Sequence, residues 1–555
     1  MDLNKEKYVG EFMSKTIVRG TMLLTAAAFL SKFLGMIYVI PFNELVGSKG
    51  GALYLYAYNP YTILISISTI GVPLATSKFI SKYNSLGDYY TGLRMFRLGL
   101  VLMSITGILS FLILFFSADW VAQSFVVDDE HGNSVADVKM VIRMVSFALL
   151  IIPGASIIRG YFQGNQSMGP TAVSQVVEQV VRIVFVLASA FIVVKIYNGA
   201  IATAVGFATF AAFVGALASL AVLLTYWIKR KDYTMSKVNA QIVKDEIPIK
   251  DLIIELFSYA GPFILVSIAI PLYQNVDTFT FNKAMASIGQ GDISEAAFAA
   301  INLYGHKLVI IPVTLATGIS MTIIPVLTQS FTTNDYLNLK KQINQTLQIV
   351  FVVVVPAVVG LVALSYEAYG SLYGLTNIEL TSYLLSWYAP VALLFALYSV
   401  SAAILQGINQ QNFAVVGLLV GFTVKILFNT LLIQQFGAIG SILTTMLAVL
   451  IALSINLVRI KSSIEFSYKE TFKRLLLIII FSFIMFIGLE LYKYIVNLVF
   501  DYEESRLGVT IVLIFGVGLG GLIYFILAYK STLLERTLGG KIGFLERILN
   551  KFRRG

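Results

Sequence analysis

The chain has 555 residues, of which 57% are hydrophobic and only 13% are charged, and its mean hydropathy is +0.83. This composition excludes an ordinary soluble fold and predicts a polytopic membrane protein. The absence of cysteine excludes disulfides and thiolate metal sites. The net charge of +10 lies mainly in short loops between apolar segments, which indicates membrane topology and not a nucleic-acid-binding surface.

Apolar runs of about 20 residues or more predict an all-α membrane protein with fourteen transmembrane helices. The predicted spans are 15–43, 52–83, 88–117, 136–163, 171–197, 199–229, 251–283, 295–328, 335–366, 380–406, 411–434, 437–460, 470–498 and 506–530. The charged segment before the first span has no small-residue cleavage site, so we interpret it as a cytoplasmic lead-in and not as a signal peptide.

The loops between the spans alternate in charge. Basic residues mark one set and the chain's C-terminal tail, among them Lys82, Arg94, Arg97, Lys340, Lys341, Arg459, Lys461, Lys473 and Arg474. The opposite loops are acidic or neutral, as in "DDEHG" at 128–132 and "DYEES" at 501–505. This bias predicts that both termini are cytoplasmic. The tail 541–554 has the pattern of a basic amphipathic helix lying on the inner leaflet.

Weak internal similarity predicts a duplication. "QGNQ" at 163–166 is answered by "QGINQ" at 406–410, and nineteen positions after the first Gln stand Arg182 and Lys425, respectively. The spacing favours two six-helix lobes repeated in parallel orientation, followed by two extra helices. The predicted parts are an N-lobe (1–228), a basic inter-lobe loop (229–250), a C-lobe (251–461), helices 13–14 (462–532) and a cytoplasmic amphipathic tail (533–555).

Two lysines fall in the middle of predicted spans. Lys32 lies eleven residues from the outer end of the first span and Lys307 twelve from that of the eighth, so both are roughly 17 Å deep at a rise of ~1.5 Å per residue. A charge at that depth is costly and is typically functional. We therefore expect both lysines to face one water-filled cavity and bind an anion. The alternatives are that each lysine pairs with a carboxylate or extends to the interface.

Other buried polar residues leave more alternatives open. His306 lies about 100° around the helix from Lys307, and either hydrogen-bonded packing or a role in protonation fits it. Arg182 follows Glu178 by one turn, which favours a structural ion pair over a substrate contact. Lys425 either faces the cavity or bonds within the lobe interior. Arg159 either extends to the interface or binds phosphate at the cytoplasmic entrance.

Asp277 is the main intramembrane acid. It follows Asn275 and a proline, Pro271, that is expected to break the helix, so Asp277 and Asn275 are candidates for a Na⁺ or proton site. The alternative is an ion pair between Asp277 and Lys283. No Walker motif, His-rich metal spacing or paired carboxylates within one span occur. We therefore expect a transporter and not an enzyme, with no cofactor apart from a coupling ion such as Na⁺ or H⁺.

Two segments resemble the MurJ family of lipid II flippases. "LSKFLGMIYVI" (30–40) is similar to the family's first-helix signature, in which a basic cavity residue follows Ser, and "YGHKLVIIPVTLATGISMTIIPVL" (304–327) is similar to its eighth helix. The likeness extends over about 15–460, and helices 13–14 would be the family's extra pair. It implies the fourteen-helix, two-lobe fold of the multidrug/oligosaccharidyl-lipid/polysaccharide exporter superfamily.

The resemblance also implies a function. A cationic cavity containing Lys32 and Lys307 would take the pyrophosphate and headgroup of lipid II, and a groove between the C-lobe and helices 13–14 would take the undecaprenyl tail. The protein would move lipid II from the inner to the outer leaflet of the bacterial cytoplasmic membrane by alternating access, and we expect a monomer. Lysines replace the arginines of Gram-negative relatives, which favours the Firmicute branch. The alternatives are a flippase for another undecaprenyl-linked polysaccharide precursor and a multidrug antiporter, which should show intramembrane acids in the N-lobe instead of bases.

Overall fold

The computed structural model describes residues 33–69, 71–126, 132–241, 247–254, 256 and 268–538, together with five single positions between 23 and 31. Every regular element within these residues is helical, and no strand occurs among them. The all-α prediction is therefore confirmed for the described part of the chain.

The helices up to residue 241 are α1 (Val39–Thr69), α2 (Gly71–Ser85), α3 (Tyr89–Phe125), α4 (Val135–Ser146), α5 (Ile152–Gly164), α6 (Gly169–Phe191) and α7 (Ile201–Asn239). A short 3₁₀ helix, Phe147–Leu150, joins α4 to α5, and a π-helix, Ile192–Ile196, continues α6. Gly47 interrupts α1 with φ +65°, a left-handed conformation that glycine adopts without steric cost. This interruption separates the first two predicted spans.

The helices from residue 268 onward are α8 (Ala269–Ser287), α9 (Gly291–Ala299), α10 (His306–Thr332), α11 (Tyr336–Ala363), α12 (Ser365–Tyr373), α13 (Ile378–Tyr388), α14 (Val391–Gly407), α15 (Gln411–Phe436), α16 (Ala438–Ile464), α17 (Lys469–Val499), α18 (Arg506–Lys530) and α19 (Leu533–Leu538). A π-helix, Ala300–Gly305, connects α9 to α10. The predicted eighth span is therefore helical throughout but is not a uniform α-helix.

Eleven segments of the described chain are long and apolar enough to cross a membrane. They correspond to the predicted spans 3–6 and 8–14. The predicted spans 1, 2 and 7 include residues outside the described part, although α1, α2 and α8 occupy portions of them. Hydropathy therefore located the long apolar helices correctly wherever the structure describes them.

Side-chain caps fix the start of several helices. Asp88 accepts the backbone N–H three residues ahead at 3.0 Å at the start of α3, and Ser134 does the same at 3.2 Å for α4. Asp335 caps α11 in the same way at 3.1 Å. Each cap satisfies a backbone donor that the helix itself leaves unpaired. The polar loop residues thus set where each apolar helix begins.

The chain divides into two compact units, residues 1–283 (unit 1) and residues 284–555 (unit 2). The division falls within α8, so the part of α8 that carries Asp277 belongs to unit 1. The segment 229–250 is not wholly a loop as predicted, because α7 continues as a helix to Asn239; the lobe boundary placed there rested on internal similarity and not on contacts. The lobe, helix 13–14 and tail boundaries given above remain predictions.

Close helix packing forms the interior of unit 1. Phe96, Tyr161 and Trp227 come from three different helices, and their ring centroids lie 4.6–5.0 Å apart. On α7, a Cβ atom added to Gly215 would lie 2.8 Å from the carbonyl oxygen of Glu178. Small residues of this kind let membrane helices approach closely. Gly215 thus holds α7 against the face of α6 that carries the charged residues described next.

Candidate functional site

A cavity of about 560 Å³ lies within unit 1, between α1, α5, α6 and α7. Its walls carry hydroxyl and amide side chains and three charged residues, Arg159, Glu178 and Arg182. Two guanidinium groups against one carboxylate leave one net positive charge. Two of the basic residues proposed from the sequence therefore share one cavity, although their predicted roles differed.

Arg159, on α5, is held by three partners. Its Nη2 lies 2.6 Å from Glu178 Oε2 and also donates to Ser219 Oγ at 2.6 Å, while its Nε donates to Ser174 Oγ at 3.0 Å. The Arg159 side chain keeps 15% of its surface exposed and that of Glu178 keeps 23%. Arg159 therefore does not extend to the membrane interface but forms a fixed, partly neutralised wall of the cavity.

Arg182 lies two turns further along α6 than Ser174, and its Nη1 donates to the hydroxyl of Tyr58 at 2.9 Å. The predicted ion pair between Glu178 and Arg182 is wrong, because the Glu178 carboxylate contacts Arg159 instead. Ser174 and Glu178 are one helical turn apart on α6, and both reach the Arg159 side chain of α5. Arg182 is thus a cavity-lining cation whose identified partner is neutral.

A cluster of tyrosines surrounds the Arg182 guanidinium. This cluster was not predicted from the sequence. Tyr54, Tyr58 and Tyr61 share one face of α1, with ring centroids 4.7 Å apart for the first pair and 5.2 Å for the second. The hydroxyl of Tyr38 lies 3.1 Å from that of Tyr54. The signal was present in "YLYAYNPY", whose tyrosines at 54, 58 and 61 follow the helical repeat. Of these tyrosines, Tyr58 and Tyr61 line the cavity, where their hydroxyls and the Arg182 guanidinium can donate hydrogen bonds to an anionic group.

Lys425 is not part of a cavity. Its side chain is fully buried between α15 and α16, and Nζ donates to Ser441 O at 3.0 Å and to Thr445 Oγ1 at 2.7 Å. No surface of this ammonium is left for a substrate. Of the two positions open for Lys425, the structure shows the lobe interior and not the cavity. Arg182 and Lys425 share a sequence context but not an environment.

His306 and Lys307 begin α10 directly after the π-helix. Nδ1 of His306 lies 3.0 Å from the hydroxyl of Tyr388 on α13, which agrees with the hydrogen-bonded packing role. Lys307 is half-buried in unit 2. Lys32 lies outside the described residues, so the cavity shared by Lys32 and Lys307 remains a prediction.

Asn275 and Asp277 are buried on the part of α8 that belongs to unit 1. The Asn275 amide donates to Asn59 O at 2.9 Å and to Pro271 O at 2.8 Å. A turn at residue 268 precedes α8, and Pro271 lies in the first turn of that helix. Lys283 is exposed and forms no ion pair with Asp277 among the described residues, so that alternative is excluded. The Na⁺ or proton site remains a prediction.

A second cavity, of about 500 Å³, is an apolar groove in unit 2. Its walls come from α11, α17 and α18, with contributions from α10 and α12. Met485 and Leu489 of α17 and Gly516 and Gly520 of α18 are among its lining residues. The role of helices 13–14 in binding a lipid tail remains a prediction.

Comparisons with known proteins identify the family of the chain. Residues 17–331 match the family of polysaccharide biosynthesis proteins. A Bacillus subtilis (strain 168) protein named lipid II flippase MurJ is 44% identical over 539 residues, which cover 96% of this chain and 99% of that protein. This chain belongs to the MurJ family. The family membership expected from the two sequence segments is confirmed.

More distant relatives of this MurJ-family chain carry other names. The Bacillus subtilis stage V sporulation protein B is 24% identical, over 74% of this chain and 76% of that protein. A solved structure of MurJ in an inward closed conformation matches with a TM-score of 0.65 at 16% identity, over 93% of this chain and 99% of that one. An inward-facing multidrug resistance transporter of the MOP superfamily matches with a TM-score of 0.60, also at 16% identity, over 77% of this chain and 95% of that one. The fold of this chain therefore resembles that of a flippase and that of a multidrug transporter.

Proposed function

We propose that this protein is a lipid II flippase, which moves the undecaprenyl-pyrophosphate precursor of peptidoglycan from the inner to the outer leaflet. The observation that carries the proposal is the 44% identity to the Bacillus subtilis flippase, which extends over almost the whole of both chains. The protein is a multi-pass protein of the bacterial cytoplasmic membrane, and the names of its relatives agree with a transporter and not an enzyme.

The cavity of unit 1 supports an anionic cargo. Arg182 has a neutral partner in Tyr58, so a pyrophosphate oxygen can accept from the same guanidinium without displacing a carboxylate. Arg159 is already paired with Glu178, and it contributes mainly to the shape and field of the wall. We assign Arg182 the direct phosphate contact, with Tyr58 as the group that orients it. Lys32 and Lys307 remain candidates for further phosphate contacts.

The apolar groove of unit 2 supports a lipid-linked cargo. It is lined by Leu, Met, Val, Ala, Pro and Gly residues and by Tyr524. A polyprenyl chain is a hydrocarbon, and an apolar groove of this kind can bind it. We assign it to the undecaprenyl tail. The headgroup and tail of one substrate would then be bound by chemically distinct surfaces.

The topology that we propose has fourteen spans, with two six-helix parallel repeats and both termini in the cytoplasm. It is supported by the charge bias of the loops. Transport proceeds by alternating access in a monomer, powered by a Na⁺ or H⁺ gradient or by the membrane potential. The inward-facing and outward-facing exporters that share the fold support alternation. The net positive charge of the cavity argues against a cationic drug as cargo.

A second cargo, another undecaprenyl-linked glycan, is favoured by one observation. A Haloferax volcanii protein named as a probable glycan biosynthesis flippase is 23% identical over 30% of this chain. That match is shorter and weaker than the one to the lipid II flippase, so lipid II is the preferred cargo.

The test is complementation of Bacillus subtilis cells depleted of their own lipid II flippases, with lipid II exposed on the cell surface as the measured quantity. The wild-type chain should restore exposure. Arg182→Gln should reduce it at least tenfold at matched expression, because a charge-assisted hydrogen bond contributes about 1.5–3 kcal/mol. Arg182→Lys should be intermediate, since an ammonium lacks the planar fork of arginine.

The matched control is Lys195→Gln, which removes an exposed cation from the π-helix that continues α6. It should restore exposure as well as the wild type does. Normal exposure with Arg182→Gln would remove Arg182 from the proposed site. Failure of the wild-type chain itself, when it is folded and present in the membrane, would contradict lipid II as the cargo.

A further inference from the structure

A smaller pocket of about 210 Å³ lies in unit 1, apart from the charged cavity. It is formed where the end of α2, the start of α3, the end of α5 and the last turns of α7 meet. Arg230 and Lys237 of α7 line it together with the aromatic rings of Tyr89, Tyr161 and Phe162. Among the residues that the structure describes, no acidic side chain lines it. Its residues are not among those assigned to the substrate.

The two cations are held in place without being neutralised by an acid. The Arg230 guanidinium donates to Ser167 Oγ and lies 5.7 Å from the ring centroid of Phe162. Lys237 Nζ lies 5.2 Å from the ring centroid of Tyr89. Neither cation has a carboxylate within 4 Å in the described part of the chain. Aromatic rings attract a cationic side chain and hold it in position without neutralising its charge, so the charge stays available to an anion.

Two asparagines also line the pocket. The Asn84 amide donates to Asn165 Oδ1 at 3.0 Å, and the Asn165 amide donates to Tyr161 O at 2.9 Å. Tyr161 also shares a hydrogen bond of 3.1 Å with Thr234. These hydrogen bonds form a connected network between α2, α5 and α7. The pocket is therefore a concave site whose walls are held together by hydrogen bonds.

The position of the pocket restricts the classes of ligand that can reach it. It lies at the end of unit 1 that the Lys/Arg bias assigns to the cytoplasm, where anionic phospholipids concentrate and where basic pockets between helices bind lipid headgroups. We propose that this pocket binds a phosphate group, carried either by an anionic phospholipid of the inner leaflet or by a soluble phosphate compound. Arg230 and Lys237 contact the phosphate oxygens, and the tyrosine and asparagine side chains surround the rest of the group.

Binding of a ligand in the pocket can affect the charged cavity, because α5 lines both sites. Arg159 and Gln163 face the cavity, whereas Tyr161 and Phe162 face the pocket. A phosphate bound in the pocket would contact Arg230 and Lys237 of α7 and Tyr161 of α5, and it would thereby connect the two helices. The bound anion should therefore stabilise unit 1 against unfolding, independently of which lipid the protein transports.

Trp227 provides a built-in reporter. Its ring centroid lies 5.0 Å from that of Tyr161 in the pocket wall. The chain has three tryptophans, and the other two, Trp120 and Trp387, are 66% and 40% exposed. The full chain with Trp120→Phe and Trp387→Phe, purified in detergent without added lipid, is titrated with dioctanoyl phosphatidylglycerol while Trp227 emission is recorded. Dioctanoyl phosphatidylcholine and inorganic phosphate are the parallel titrants.

The expected result is a saturable change with phosphatidylglycerol and none with phosphatidylcholine. Arg230→Gln with Lys237→Gln should weaken binding at least tenfold, whereas Arg230→Lys with Lys237→Arg should largely retain it. Lys231→Gln, an exposed neighbour on α7 outside the pocket, should leave it unchanged. Saturation by inorganic phosphate at the same concentration would identify a soluble ligand. No saturable response to either phosphate source, or equal weakening by Lys231→Gln, would overturn the proposal.

Discussion

The Arg159–Glu178 pair allows a quantitative test of how the cavity of unit 1 is built. An exposed ion pair contributes about 0–1 kcal/mol, and breaking a fully buried one costs about 3–5 kcal/mol. The two side chains keep 15% and 23% of their surface exposed, and Arg159 has two serine partners besides Glu178. We therefore expect Arg159→Gln and Glu178→Gln each to lower the free energy of unfolding by about 2 kcal/mol.

The double variant Arg159→Gln, Glu178→Gln should lose about as much stability as either single variant and not the sum of the two losses, because two neutral amides can bond each other and the serines without an unpaired buried charge. The expected coupling energy is about 2 kcal/mol. The assay is reversible denaturation of the purified full chain in mixed micelles, followed by circular dichroism. Arg97→Gln, which removes an exposed cation on α3, is the control and should be neutral. Single-variant losses that add within about 0.5 kcal/mol would refute the pairing.

Three further predictions concern single positions. Gly215→Val should destabilise the protein by about 1–3 kcal/mol in the same denaturation assay, because its Cβ would lie 2.8 Å from the Glu178 carbonyl oxygen. The control Gly169→Ala should leave stability unchanged, because no atom lies within 4 Å of the added Cβ. Equal losses of stability in the two variants would contradict the packing. Lys425→Met should leave lipid II exposure per folded molecule unchanged, because Lys425 is fully buried. A loss of exposure at a matched amount of folded protein would indicate that Lys425 contributes to substrate binding. Tyr58→Phe should slow the flipping of fluorescent lipid II in proteoliposomes several-fold by removing the acceptor of Arg182, and an unchanged rate would exclude an orienting role.

Hydropathy was sufficient to locate the long apolar helices of the described chain. The predicted spans 3–6 and 8–14 coincide with the eleven long apolar helices of the described chain. This succeeds because each membrane helix must satisfy its backbone internally and bury about 20 apolar residues. The family likewise followed from two short segments, since the spacing of Ser31, Lys32 and Gly35 in the first and of Tyr304, Lys307 and Pro312 in the second was retained.

Partners between helices could not be obtained from spacing along one helix. Glu178 and Arg182 are four residues apart, the favourable order for a pair, yet Arg159 of the neighbouring helix takes the carboxylate. Arg182 and Lys425 follow similar sequence segments at the same spacing. Arg182 donates a hydrogen bond to Tyr58, however, and Lys425 donates one to Ser441. The rotation of each helix and the identity of its neighbours decide such contacts, and neither is encoded within one span.

The tyrosines at 54, 58 and 61 were overlooked for a different reason. Aromatic residues within an apolar helix usually pack in the interior or at the membrane interface, so their spacing alone did not indicate a site. Only their position around Arg182 distinguishes them. Aromatic stripes become informative when a charge from another helix lies beside them.

The π-helix Ala300–Gly305 affects how this region can be compared across relatives. A π-turn accommodates one residue more than an α-turn, so residues after it are rotated by about 100° relative to an uninterrupted helix. A relative with an ordinary α-turn here would need one residue fewer to present the same face at His306 and Lys307. An alignment without a gap at 300–305 would then pair residues that face different directions. Equivalence between family members should therefore be assigned separately on the two sides of this turn.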